Sequence, residues 1–115
     1  MVANMCKEIV RAEDPACIML VGSRAGDKGR PDSDVDLIVV TRQDFHEGRT
    51  RRQVTASIRR ALSRFRVPKD ILVYSPSEVE RWRNSRNHII YTGLKDGRIL
   101  YERRQSRPVD AVDGA

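Results

Sequence analysis

Cysteine is nearly missing from this sequence. Only Cys6 and Cys17 occur, without a Cys-x-x-Cys spacing or a histidine beside them, which removes a zinc site and a disulfide framework from consideration. Both thiols are expected to be buried or half-buried. No apolar run approaches the roughly 18 residues that a membrane span needs. Residues 1–19 are broken by Lys7, Glu8, Arg11, Glu13 and Asp14 and do not read as a signal peptide, so a soluble cytoplasmic protein is expected. Aromatics are scarce as well. The Arg-rich segment 49–66 lacks a series of interleaved aromatics for stacking single-stranded bases, and direct nucleic-acid reading is not expected. The two histidines, His46 in a loop and His88 beside a helix start, read as surface residues rather than as bases or ligands. With 115 residues the expectation is one small domain and no room for a second catalytic one.

What is present begins with charge. Lysine and arginine number 22 against 16 acidic residues, a net +6 that suits contact with phosphates or an acidic partner but also describes an ordinary solvated Arg face. Apolar residues Val2, Met5, Cys6, Ile9 and Val10 recur at helical steps and predict a helix over 2–12 that stops before Asp14-Pro15. Residues 16–21 and 35–40 are continuous apolar runs, the second rich in β-branched residues, and predict strands buried on both faces.

Between those strands, residues 23–33 are polar and rich in Gly, Arg and Asp, with room for a short helix from Ser23 and a turn at 29–32. Residues 41–51 read as a loop, and Val54, Ile58, Ala61, Leu62 and Phe65 predict a second amphipathic helix over 52–65, closed by Pro68. A third short strand follows at 70–74. Ser75-Pro76-Ser77-Glu78 carries an N-cap serine, a first-turn proline and a capping-box glutamate, which predicts a helix from Pro76 to about Asn84 with Trp82 as a packing residue. A short helix over 87–94, a turn at 95–97 and a last strand over 98–101 complete an α/β layer fold, with strand directions left open. Residues 1–104 would form the domain and 105–115 a disordered tail.

The chemistry concentrates in Gly22-Ser23, ten intervening residues, then Asp34-Val35-Asp36. Side chains two apart on a strand share a face, so Asp34 and Asp36 would converge about 7 Å apart by the rise per residue, within reach of shared hard cations. Unscreened, the two carboxylates repel; Mg²⁺, which takes oxygen ligands from one or two carboxylates plus substrate phosphates, relieves that repulsion. Gly22 lacks a Cβ and admits a phosphate close to the backbone. The Ser23 hydroxyl and neighbouring N–H groups would donate to it, and Arg24 stands first by proximity among the cations that would meet the outer phosphates. The competing account is an ordinary turn and an ordinary strand edge. Chance produces the pattern in about one chain in a thousand of this length, and the glycine directly ends one buried run while the carboxylates directly begin another.

The stretch from Val21 to Val40 resembles the signature of the minimal nucleotidyltransferase (MNT) family in the DNA polymerase β-like superfamily. The likeness extends over Lys69 to Tyr74, Pro76 to Asn84 and Gly93 to Tyr101. The resemblance implies a small nucleotidyltransferase fold, a short mixed β-sheet flanked by helices, with two Mg²⁺ held by Asp34 and Asp36. It also implies a third carboxylate on the neighbouring strand, a role that falls to Asp70. Catalytic and metal-holding residues would then be Asp34, Asp36 and Asp70, and nucleotide-binding residues Gly22, Ser23 and Arg24. Family members often carry an aromatic before the Gly-Ser pair and a second basic residue two after the arginine, where this chain has Val21 and Gly26.

For a chain this short the resemblance points to the antitoxin of HEPN/MNT toxin–antitoxin pairs, with ATP as donor and a tyrosine of the HEPN ribonuclease toxin as acceptor in a hetero-oligomer. Two alternatives stand beside it: transfer to a small hydroxylated molecule such as an aminoglycoside, and a non-catalytic antitoxin that masks its toxin by contact.

Overall fold

The structure, a computed structural model, describes residues 1–22 and 34–103. Four strands form one sheet: β1 (Cys17–Val21), β2 (Val35–Val40), β3 (Lys69–Tyr74) and β4 (Arg98–Glu102), in the order β3-β2-β1-β4. β1 runs antiparallel to both β2 and β4, whereas β2 and β3 are parallel, so the sheet is mixed. The parallel pair needs a crossover connection, and helix α2 (Arg51–Ala61) supplies it between β2 and β3.

Alternation along the strands divides the core into two layers. Ile18 and Leu20 of β1, Val35, Leu37 and Val39 of β2, and Ile71 and Val73 of β3 face α1 (Val2–Glu13) and α2, which contribute Met5, Ile9, Val54 and Ile58. Met19, Val21, Ile38 and Val40 face the other way, toward α3 (Pro76–Trp82) and α4 (Ile89–Asp96), where Ile90 is buried against them. Each fully buried isoleucine, such as Ile18, Ile38 or Ile58, contributes about 1.5–3 kcal/mol relative to leaving it in water. The expectation that β1 and β2 are buried on both faces therefore holds, and it explains why their sequences show no alternation.

Several helix limits differ from those the sequence suggests. α2 begins at Arg51 because Thr50 caps it reciprocally with Gln53: the Gln53 N–H donates to the Thr50 hydroxyl and the Gln53 amide accepts from the Thr50 N–H. It ends at Ala61 rather than at residue 65, since the chain tightens there into three-residue turns. Ser63 donates to the Arg60 carbonyl and Phe65 to that of Leu62, which swings both Leu62 and Phe65 into the core. α3 has the expected Ser75–Glu78 capping box and stops at Trp82, short of residue 84.

α4 runs over Ile89–Asp96 instead of 87–94 because His88 is its cap, its Nδ1 accepting from the Ile90 N–H at 3.0 Å. His88 is thus no plain surface residue: its ring stacks on Trp82 at 4.5 Å and meets Tyr74 edge-on at 5.6 Å. His46 is exposed, as expected, and accepts from the Gly48 N–H. Cys6 is buried and Cys17 half-buried.

Asp14 closes α1 in the left-handed region at φ +46°, donating its N–H to the Val10 carbonyl. Its carboxylate accepts from Arg42, just past β2, and from Arg103, just past β4, both at 2.9 Å. One side chain thereby ties three segments at one end of the sheet. No helix among the described residues is long and apolar enough to cross a membrane. The predicted short helix and turn in 23–33 and the predicted tail at 105–115 lie outside the described residues.

Candidate active site

The end of the sheet opposite Asp14 carries the carboxylates. There β1 finishes at Val21-Gly22, β2 starts after Asp34, and β3 starts at Lys69. Parallel pairing puts Asp36 directly beside Asp70, and antiparallel pairing puts Val21 beside Asp36 on the other flank. Neighbouring strands lie about 4.8 Å apart, so Asp36 and Asp70 are immediate lateral neighbours. Asp36 shares its face with Ile38 and Val40, and Asp70 shares its face with Leu72 and Tyr74, so both project on the α3–α4 side. That layer covers the far end of β3 and leaves this end open: Asp34 and Asp70 are exposed and Asp36 is half-buried.

The electrostatics follow from the register. Burial, then the charge of Asp70, then that of Asp34 push the Asp36 carboxyl above its ordinary value. The ammonium of Lys69, next to Asp70 in the chain, does not relieve this. Lys69 points to the opposite face, where its ammonium donates to the Phe65 carbonyl at 2.8 Å. Among the described residues none of the three carboxylates takes part in an ion pair.

Gly22 borders the same spot. It has φ +76°, and a Cβ added to it would lie 2.5 Å from Oδ2 of Asp36. The glycine is therefore required twice, once by its backbone and once by the carboxylate packed against it. Ser23 and Arg24, the other two expected nucleotide-binding residues, lie outside the described residues.

A protein-family model, that of the polymerase beta nucleotidyltransferase domain, matches residues 4–106. The chain belongs to the polymerase beta nucleotidyltransferase family. Its four-stranded sheet with helices on both faces is the small α/β nucleotidyltransferase fold that the sequence resemblance implied. Among solved structures, one described as a toxin–antitoxin with AMP-PNP has a TM-score of 0.53 at 18% identity, covering 98% of this chain and 83% of that one. A mutant MntA-HpeT toxin–antitoxin gives a TM-score of 0.49 at 17% identity, covering 96% and 81%. A comparison with curated protein sequences finds no significant match.

The carboxylates of this nucleotidyltransferase suit a hard divalent cation. They are oxygen donors of one sign crowded at one end of the sheet, and the charge that would ease the crowding is a cation's. Among the described residues, no three His, Cys, Asp or Glu side chains already close on a common point. A Mg²⁺ ion takes oxygen ligands from one or two carboxylates and draws the rest from water and substrate phosphates.

One feature of the site was not legible beforehand. α4 crosses β1 and β2 so closely that a Cβ on Gly93 would lie 3.0 Å from Cδ1 of Ile38 and 3.3 Å from Cγ1 of Val21. The only sequence signal was a glycine inside a helical stretch.

Proposed function

We propose that this nucleotidyltransferase transfers AMP from ATP to a tyrosine of a HEPN-domain ribonuclease toxin and is the antitoxin of that pair. The observation that carries the nucleotidyl-transfer chemistry is the lateral pairing of Asp36 with Asp70 beside Gly22. The partner reading is supported by the MNT-like stretch from Val21 to Val40 and by the fold shared with a structure described as a toxin–antitoxin with AMP-PNP.

In this reading Asp34, Asp36 and Asp70 hold Mg²⁺, which when bound offsets charge on the phosphate oxygens. Gly22, with Ser23 and Arg24, receives the triphosphate. Asp70, exposed at the start of β3, takes the proton of the acceptor hydroxyl. The hydroxyl oxygen forms a bond to the α-phosphorus while the bond from that phosphorus to the bridging β-oxygen breaks. Pyrophosphate leaves with the electron pair. Positioning and electrostatics carry the reaction.

The test uses ATP labelled at the α- or the γ-phosphate, incubated with Mg²⁺, this protein, the product of the neighbouring gene and an aminoglycoside. Label from the α-position alone should appear on that protein and vanish when its acceptor tyrosine is changed to phenylalanine. Label on an aminoglycoside instead would establish the small-molecule reading, and a tight complex with no label would establish masking by contact.

A further inference from the structure

β4 lies at the end of the strand order and, among the described residues, has no neighbour on its outer side. A free edge offers a row of unpaired N–H and C=O groups, and most proteins blunt such edges. Here charges stand at the strand ends, Arg98 and Glu102, but Ile99 between them is 53% exposed. On the opposite face of the same strand, an open groove of about 600 Å³ runs between α1 and β4, floored by Val10, Leu100 and Tyr101. Lys7, Arg11 and Arg98 line it, Arg11 also lying 3.7 Å from the Glu8 carboxylate, and among the described residues no carboxylate lines it. The one acidic residue of β4, Glu102, sits beside Cys17, which packs against the other layer. The edge is therefore apolar on both faces, open along its backbone and rimmed by cations.

We infer that this edge is a docking surface for an extended, acidic segment of a partner protein, which adds to the sheet as a strand beside β4. Strand addition fits the edge better than a helix laid in the groove, because it uses three features at once. The partner's backbone meets the free edge of β4. Its groove-side positions, apolar and acidic in turn, fill the groove and meet Lys7, Arg11 and Arg98, while an apolar side chain on its other face covers Ile99. The surface lies across the sheet from Asp36 and Asp70, so strand binding and nucleotidyl transfer stand or fall separately.

The probe is an eight-residue fluorescent peptide with valine and glutamate in turn along one strand face and valine and threonine in turn along the other, titrated with the full chain at low salt and followed by anisotropy. It should bind saturably. The same peptide with lysine for each glutamate should bind at least tenfold more weakly, and a version N-methylated at alternate residues, which keeps side chains and charge but removes half the backbone donors, should lose binding. The double variant Lys7→Glu/Arg98→Glu should weaken binding about tenfold, and Ile99→Asp comparably. Both variants alter exposed positions, and unchanged thermal melts should confirm their folding. No saturation up to about 1 mM, equal binding of the lysine peptide, or indifference to N-methylation would overturn the inference. Sedimentation showing a dimer that Ile99→Asp abolishes, with no peptide binding, would overturn it in favour of a second copy at this edge. Peptide binding that appears only when residues 104–115 are removed would do so in favour of the chain's own C-terminal segment.

Discussion

Replacing Gly22 by alanine tests the geometry at the carboxylates with a single methyl group. Two costs follow. At φ +76° an alanine backbone is disfavoured by about 1–2 kcal/mol, and the new Cβ would stand 2.5 Å from Asp36 Oδ2, so the carboxylate must swing away. Because that atom ends a short side chain, relief is sterically cheap and adds little to the stability loss. For a domain of this size about 1–2 kcal/mol lowers the melting temperature by roughly 5–10 °C. Transfer should suffer more, since displacing a reacting-site group by about 1 Å costs about 100-fold. The assay pairs urea melts with transfer of α-labelled nucleotide below the melting transition. Gly48→Ala is the control: that Cβ would meet only the His46 ring, at 3.4 Å, and both readouts should stay within experimental scatter. Gly22→Ala that is destabilised yet transfers at the normal rate would refute the placement of Asp36 against Gly22 as functional.

Asp36→Asn should stabilise the metal-free protein at neutral pH, by about 0.2–1 kcal/mol for relieving a like-charged lateral pair. The folded carboxyl holds its proton to higher pH than the unfolded one. This contribution is therefore most favourable below the ordinary carboxylate range and is lost as pH rises through the shifted value; melts from pH 3 to 7, flatter in the variant, check it. Ser75→Ala removes the cap of α3 at a buried position and should cost about 0.5–2 kcal/mol in a urea melt. Cys17, pushed up to about 11 by burial and by Glu102, should be about one part in a thousand thiolate at pH 8. Its modification by iodoacetamide in the folded protein should be far slower than in urea.

Much of this architecture is legible in the sequence wherever a local rule decides it. The runs at 16–21 and 35–40 show strands because they are buried from both sides, and Ser75-Pro76-Ser77-Glu78 shows a helix start because the cap is built from consecutive residues. The start of α2 was obscured although Thr50 and Gln53 form the same device, because Gly48 and the charges around it read as continued loop. The start of α4 is not legible because histidine is an unusual cap, and nothing local announces that Trp82 and Tyr74 will hold its ring. The Asp34–Asp36 spacing is local and was visible. The position of Asp70 beside Asp36 is a property of strand direction and register, which no pattern within β3 encodes; only the family resemblance supplied it beforehand.

The central claim is that the carboxylates at this end of the sheet carry nucleotidyl transfer. Its most direct measurement is Mg²⁺-dependent transfer of α-label to the neighbouring-gene protein by Asp34→Ala and Asp36→Ala, each first shown to melt no lower than the wild type. Loss of transfer in both variants is the expected result. Retained transfer in both would contradict the account.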